Sequence, residues 1–219
     1  MLTKLKQLLN QDRTRIRQFT HGEYIEKVIM EHKDTFNLSP VFVETGCGIS
    51  TISLNKCAEV LNAQAFSLDY NREKSDELKS RVGDKVRNIQ FIIGDSLTTL
   101  PLITKEHQID FLFLDSAASA MHTFREFQIC ESALGTGACL LIDNAALPNE
   151  KDVLSPVRKG KILVPYLLAS PYWEVFPEPK AGDSMIFSIL HDTPDYFDPA
   201  YEDPEFIDNW RDNFDKSLT

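Results

Sequence analysis

Cysteine is scarce in this 219-residue chain, with four in all, and Cys47, Cys57, Cys130 and Cys139 fall in no zinc-like or paired spacing. That excludes a disulfide scaffold and a zinc ribbon, and leaves reduced, buried thiols in a cytoplasmic protein as the expectation. Cys47 lies between two glycines, where a small apolar filler fits better than a nucleophile. No apolar run is long enough to cross a bilayer, so no membrane association is expected. The first residues, Met1 to Lys6, lack the uninterrupted apolar core of a secretory signal. An excess of positive charge is missing too: 23 Lys and Arg face 33 Asp and Glu, a net charge of -10. Without a basic patch, nucleic acid is not an expected partner. There is no internal repeat and no low-complexity linker. At 42% hydrophobic and 26% charged residues, the composition is that of one globular domain with a sizeable core.

What is present begins with Val41-Phe-Val-Glu-Thr-Gly-Cys-Gly-Ile-Ser50. Val41 to Val43 read as a strand covered on both faces, since they show no polar alternation. Gly46 and Gly48 allow a tight turn and close approach of a ligand to the backbone. Thr51 to Leu61 can form the helix that follows, with its free N–H groups towards that ligand. An acid at Glu44 suits a ligand carrying an amine or hydroxyls better than a pyrophosphate, which points towards S-adenosylmethionine. Four more apolar strands follow: Ala65 to Asp69, Ile89 to Ile93 before Gly94-Asp95-Ser96, Asp110 to Asp115, and Ala138 to Asp143. With Glu44, that gives five acids at strand ends, where open α/β sheets bind ligands. Asp69 is placed to accept hydrogen bonds from ribose hydroxyls, and Tyr70 to lie against an adenine face.

In these residues the chain resembles class I S-adenosylmethionine-dependent methyltransferases, and within them the small O-methyltransferases similar to the catechol and macrocin enzymes. The likeness runs from about Val41 to Leu190. Glu44-Thr45-Gly46-Cys47-Gly48 fits the acid-x-Gly-x-Gly loop, Asp69 the ribose acid, and Asp95 with Ser96 the adenine-edge motif. Asp115 and Asp143-Asn144 match the paired acidic positions that bind a divalent cation in metal-dependent members. The resemblance therefore implies a Rossmann-like three-layer α/β sheet, parallel except for a final antiparallel strand, that binds S-adenosylmethionine and methylates a hydroxyl of a small-molecule acceptor. Mg²⁺ would sit at Asp115, Asp143 and Asn144, lowering the acceptor's pKa. A base is expected three residues after Asp115, but that position is Ala118. His122, one helical turn further on, becomes the candidate catalytic base beside Asp115.

Two other readings stay open. An NAD-dependent oxidoreductase would also use Asp69, although its fingerprint wants a third glycine at Thr51 and gives Glu44 no role. A non-catalytic protein that binds S-adenosylmethionine or serves assembly is the other, kept open by Ala118.

Around the core, residues 39–191, the sequence divides into two flanks. Residues 1–38 read as N-terminal helices covering the sheet: Leu2, Leu5, Leu8, Leu9 and Ile16 sit near helical spacing. Thr20 to Glu23 then looks like a break with a cap before a helix over Tyr24 to His32. Residues 192–219 carry -7 of the net charge together with six aromatics and three prolines. They suit a tail laid along the domain or against a second copy in a homodimer, and equally a mobile one. Within the core, Met121 to Leu134 reads as a helix ended by Gly135-Thr-Gly137. Tyr172 to Phe176 and Ser184 to Leu190 read as a hairpin. The basic run at Arg158, Lys159 and Lys161 lies in an insertion where the resembled family shapes its substrate pocket.

Overall fold

The computed structural model of the chain describes residues 20–145, 159–176 and 185–191. The expectations for Leu2 to Ile16 and for the acidic tail at 192–219 lie outside those residues. Helix α1 (His21–His32) starts at Thr20, whose hydroxyl accepts from the Glu23 N–H while the Glu23 carboxylate accepts from the Thr20 N–H. This reciprocal cap satisfies two orphan donors, so His21 to Glu23 form the first helical turn and not the expected break. A short 3₁₀ turn, Lys33–Thr35, leads on to β1 (Val41–Thr45).

Strand and helix then alternate: α2 (Ile49–Leu61), β2 (Gln64–Asp69), α3 (Arg72–Val82), β3 (Ile89–Ile93), α4 (Ser96–Thr104), β4 (Ile109–Leu114), α5 (Ala120–Glu131) and β5 (Leu134–Ile142). Helix α6 (Gly160–Ala169), β6 (Trp173–Phe176) and β7 (Ile186–Leu190) complete the described chain. The sheet order is β3-β2-β1-β4-β5-β7-β6. β7 runs antiparallel to both β5 and β6, and the other pairings are parallel, as expected for this fold class.

The period of two in each strand divides the core into two layers. Val41, Val43, Leu112, Leu114, Leu140 and Ile142 face α4, α5 and α6, packing with Leu100, Phe127 and Leu163. Phe42, Phe111, Phe113 and Leu141 face α1 and α2, packing with Ile25, Ile29 and Leu54. Helices thus cover both faces, which is why these strands lack alternating polar residues.

One boundary differs from the sequence expectation. Helix α5 ends at Glu131, and Gly135-Thr136-Gly137 lie inside β5, not after a helix. The β4–β5 register slips between Ile109↔Leu134 and Phe111↔Cys139, so these glycines carry an irregularity in the strand. Gly137 has φ +84 and lies so close to Thr35 that a Cβ there would come within 2.8 Å of its side chain.

Candidate functional site

The turn after β1 is fixed by its backbone. Gly46 adopts φ +91, and a Cβ there would run into the carbonyl oxygen of Asp115, so glycine is required by conformation and by space. The Gly46 N–H donates to Leu68 O (2.7 Å) and the Asp115 N–H to Thr45 O (2.9 Å), stitching the ends of β1, β2 and β4 together. Around Gly48 no protein atom lies within 4 Å of a Cβ position.

Glu44 does not face the cavity. Its side chain is inside β1, 0% exposed, and accepts hydrogen bonds from the hydroxyls of Ser50 (2.8 Å), Ser67 (2.6 Å) and Thr51. The Gly48 N–H donates in turn to the Thr51 hydroxyl (2.9 Å), so the acid holds the glycine turn and the start of α2 from beneath. Burial pushes the Glu44 carboxyl up to about 7, against the three hydroxyls that favour its ionised form.

A cavity of about 550 Å³ opens at the carboxyl ends of β1, β2 and β3, walled by Gly46, Asp69, Tyr70, Asp95, Ser96 and His122 among others. Its size is that of a small-molecule or cofactor site. Asp69 ends β2 and accepts from the Cys47 N–H (3.0 Å), the Asn71 N–H (2.9 Å) and the Lys74 ammonium (2.8 Å). Burial acts to raise its pKa, but Lys74 and the backbone donors together outweigh burial and hold Asp69 below the usual carboxylate range. Tyr70, 82% exposed, stands at the mouth. Asp95 caps α4 through the Leu97 N–H (2.9 Å), which leaves Ser96 at the first turn of that helix.

His122 lies in the same wall. Its Nε2 is 2.9 Å from the Ser96 hydroxyl and 3.3 Å from Glu126, one helical turn on. Glu126 is fully buried and also accepts from Ser116 (2.6 Å) and Thr45 (3.3 Å), which links the β1 and β4 ends to α5. Ala118, in the turn before α5, offers no titratable group.

Asp115 and Asp143 come together as the sequence suggested, but a lysine lies between them. The Lys159 ammonium pairs with Asp115 Oδ1 and sits 3.9 Å from Asp143 Oδ2. His21 Nε2 is 3.7 Å from the other oxygen of Asp143. Burial raises the Asp115 pKa above its ordinary range; Lys159 opposes this and Asp143 adds to it. Asn144 adopts φ 49, and its carbonyl accepts the Lys159 N–H (3.1 Å). Among the described residues no cluster of three or more His, Cys, Asp or Glu could hold a metal ion. As arranged, the residues do not fit the expected divalent cation: the positive charge that two adjacent carboxylates require comes from Lys159.

Sequence reasoning missed Lys74, Lys159, Glu126 and the three hydroxyls around Glu44. Glu126 carried a signal, four residues after His122 on one helix face. Lys159 was visible only as part of a basic run. Lys74 had no signal in the charged stretch Arg72 to Arg81.

Residues 43–145, a little under half the chain, match a family model described as a methyltransferase domain. No curated protein matches the chain. Solved structures similar to it include the O-methyltransferase from Bacillus cereus in complex with SAH, at 17% identity and TM-score 0.63, covering 86% of this chain and 90% of that one. The O-methyltransferase TomG from Streptomyces achromogenes, in complex with SAM, is 16% identical with TM-score 0.62, over 78% of this chain and 79% of that one. MycE, a methyltransferase of the mycinamycin biosynthetic pathway in complex with Mg and SAH, gives 13% and 0.54, over 77% of this chain and 49% of that one. At these identities the likeness establishes the fold, which is the Rossmann-like class I methyltransferase fold.

Proposed function

We propose that this chain, whose core has the class I methyltransferase fold, transfers a methyl group from S-adenosylmethionine to a hydroxyl of a small molecule. The observation that carries the reading is the cavity at the ends of β1 to β3, with Asp69 in its wall beside the glycine turn at Gly46. S-adenosylmethionine supplies a methyl group already activated on sulfonium, so the protein has chiefly to align an acceptor and manage one proton.

Each residue's part follows from its position. Asp69, held ionised, accepts from the ribose hydroxyls, and Thr45 to Gly48 provide the turn over which the cofactor lies. Tyr70 covers the adenine face, while Asp95 and Ser96 meet its edge. His122 is assigned to positioning at that end, because its Nε2 is already engaged by Ser96 and Glu126. Asp115, about one-third exposed and paired through Oδ1 with Lys159, would accept the acceptor hydroxyl's proton at its other carboxylate oxygen as the acceptor oxygen gains the methyl group and the demethylated thioether leaves.

The described residues contain no helix long and apolar enough to cross a membrane, and all four cysteines are free and buried. The buried thiols support a cytoplasmic setting and the size of the cavity a small-molecule partner, while the acidic charge balance speaks against nucleic acid. A homodimer is part of the same proposal. Calorimetry with S-adenosylmethionine, its demethylated product and NAD tests the reading, followed by product formation on a panel of hydroxyl acceptors. Binding of NAD with no binding of either sulfur ligand would overturn it.

A further inference from the structure

We propose that the Lys159 ammonium is the resident cation of the Asp115–Asp143 pair, standing where a divalent ion would otherwise bind, so that the chain takes up no metal there. The lysine side chain is only 4% exposed and reaches both carboxylates, pairing with Asp115 and lying 3.9 Å from Asp143. Its place is set by backbone as well as charge. The Lys159 N–H donates to Asn144 O (3.1 Å), and Gly160 lies against Ala145 so closely that a Cβ would come within 2.6 Å of the Ala145 carbonyl oxygen. Two adjacent contacts thus pin the start of α6 to the turn that follows β5.

A divalent ion entering here would have to displace that ammonium. Mg²⁺ requires near-octahedral oxygen ligands and keeps several waters. Moving Lys159 aside would break a buried pair and strand one of its charges. His21, 3.7 Å from Asp143, adds a further competitor whenever it is protonated. The consequence for chemistry rests on the methyltransferase reading: an ion at this place would favour acceptors with two adjacent oxygens to chelate, whereas an ammonium needs only one.

The test measures Mn²⁺ uptake by electron paramagnetic resonance on the full chain, counting the uptake that Asp143→Asn removes. The native chain is expected to show none. Lys159→Met should gain one equivalent, bound at least about tenfold more tightly than by the native chain, because the paired carboxylates then lack a counter-ion. One equivalent of Asp143-dependent Mn²⁺ in the native chain would overturn the proposal, as would a folded Lys159→Met that gains nothing. Should Lys159→Met fail to fold, by circular dichroism, the native measurement decides alone. Binding of the demethylated cofactor is followed by calorimetry in parallel: its absence would sink the methyltransferase reading and leave the Mn²⁺ result standing.

Discussion

Replacing Glu44 by Gln should flatten part of the pH dependence of stability. The Glu44 carboxyl titrates near 4.5 in a free chain and is pushed up to about 7 in the fold, chiefly by burial. Between those values the native state holds more proton than the unfolded state, so stability falls as pH rises through the window. At 1.36 kcal/mol per unit, full ionisation costs the native state about 3 kcal/mol by pH 8 relative to pH 4. The amide introduced by Glu44→Gln does not ionise, so this component vanishes. Urea unfolding of both proteins from pH 4.5 to pH 8 isolates it, because every other titrating group is common to the two. The variant should gain on the native chain by up to about 3 kcal/mol across the range, seen as a shift of midpoint at constant slope. A difference between the two that stays flat with pH would refute the reasoning. It would mean that the hydroxyls of Ser50, Thr51 and Ser67 solvate the carboxylate as well as water does.

Three further outcomes are expected. Gly46→Ala should lose about 1–3 kcal/mol in thermal unfolding, and the affinity for S-adenosylhomocysteine with it, since both φ and the Asp115 carbonyl oppose a side chain there. Asp69→Ala should weaken binding of S-adenosylmethionine by about 1.5–3 kcal/mol in calorimetry, and unchanged affinity would remove Asp69 from the site. His122→Ala should raise the KM for S-adenosylmethionine by about three- to tenfold with an unaltered pH–rate profile. Loss of a pH limb near neutrality at constant KM would instead make the histidine the catalytic base.

The sheet was largely legible because strands buried on both faces leave continuous apolar runs such as Phe111 to Leu114. The antiparallel close at β7 was legible for a related reason, as two short apolar runs with turn residues between them. Gly135 and Gly137 misled because glycine after a helical stretch signals a helix end and a strand irregularity equally well; only the register against β4 separates the two. That Asp69, Asp95 and Ser96 line one cavity could be read from their places at strand ends. Glu44 could not, since its role depends on hydroxyls contributed by α2 and β2. The lysine between Asp115 and Asp143 lies 44 residues from the first of these acids, and no local pattern joins them.

The contact of Asn144 and Ala145 with Lys159 and Gly160 also bears on how this chain could be altered. It brings Ala145 and Lys159, which flank the segment 146–158, together through backbone contacts of their own. The contact is made by Asn144 and Ala145, just after β5, and by Lys159 and Gly160 at the start of α6. Doubling the length of such a stretch costs only about 0.6 kcal/mol of closure entropy. On closure entropy alone, segments of other lengths grafted between Ala145 and Lys159 are expected to cost the domain little, which thermal unfolding of such grafts would check.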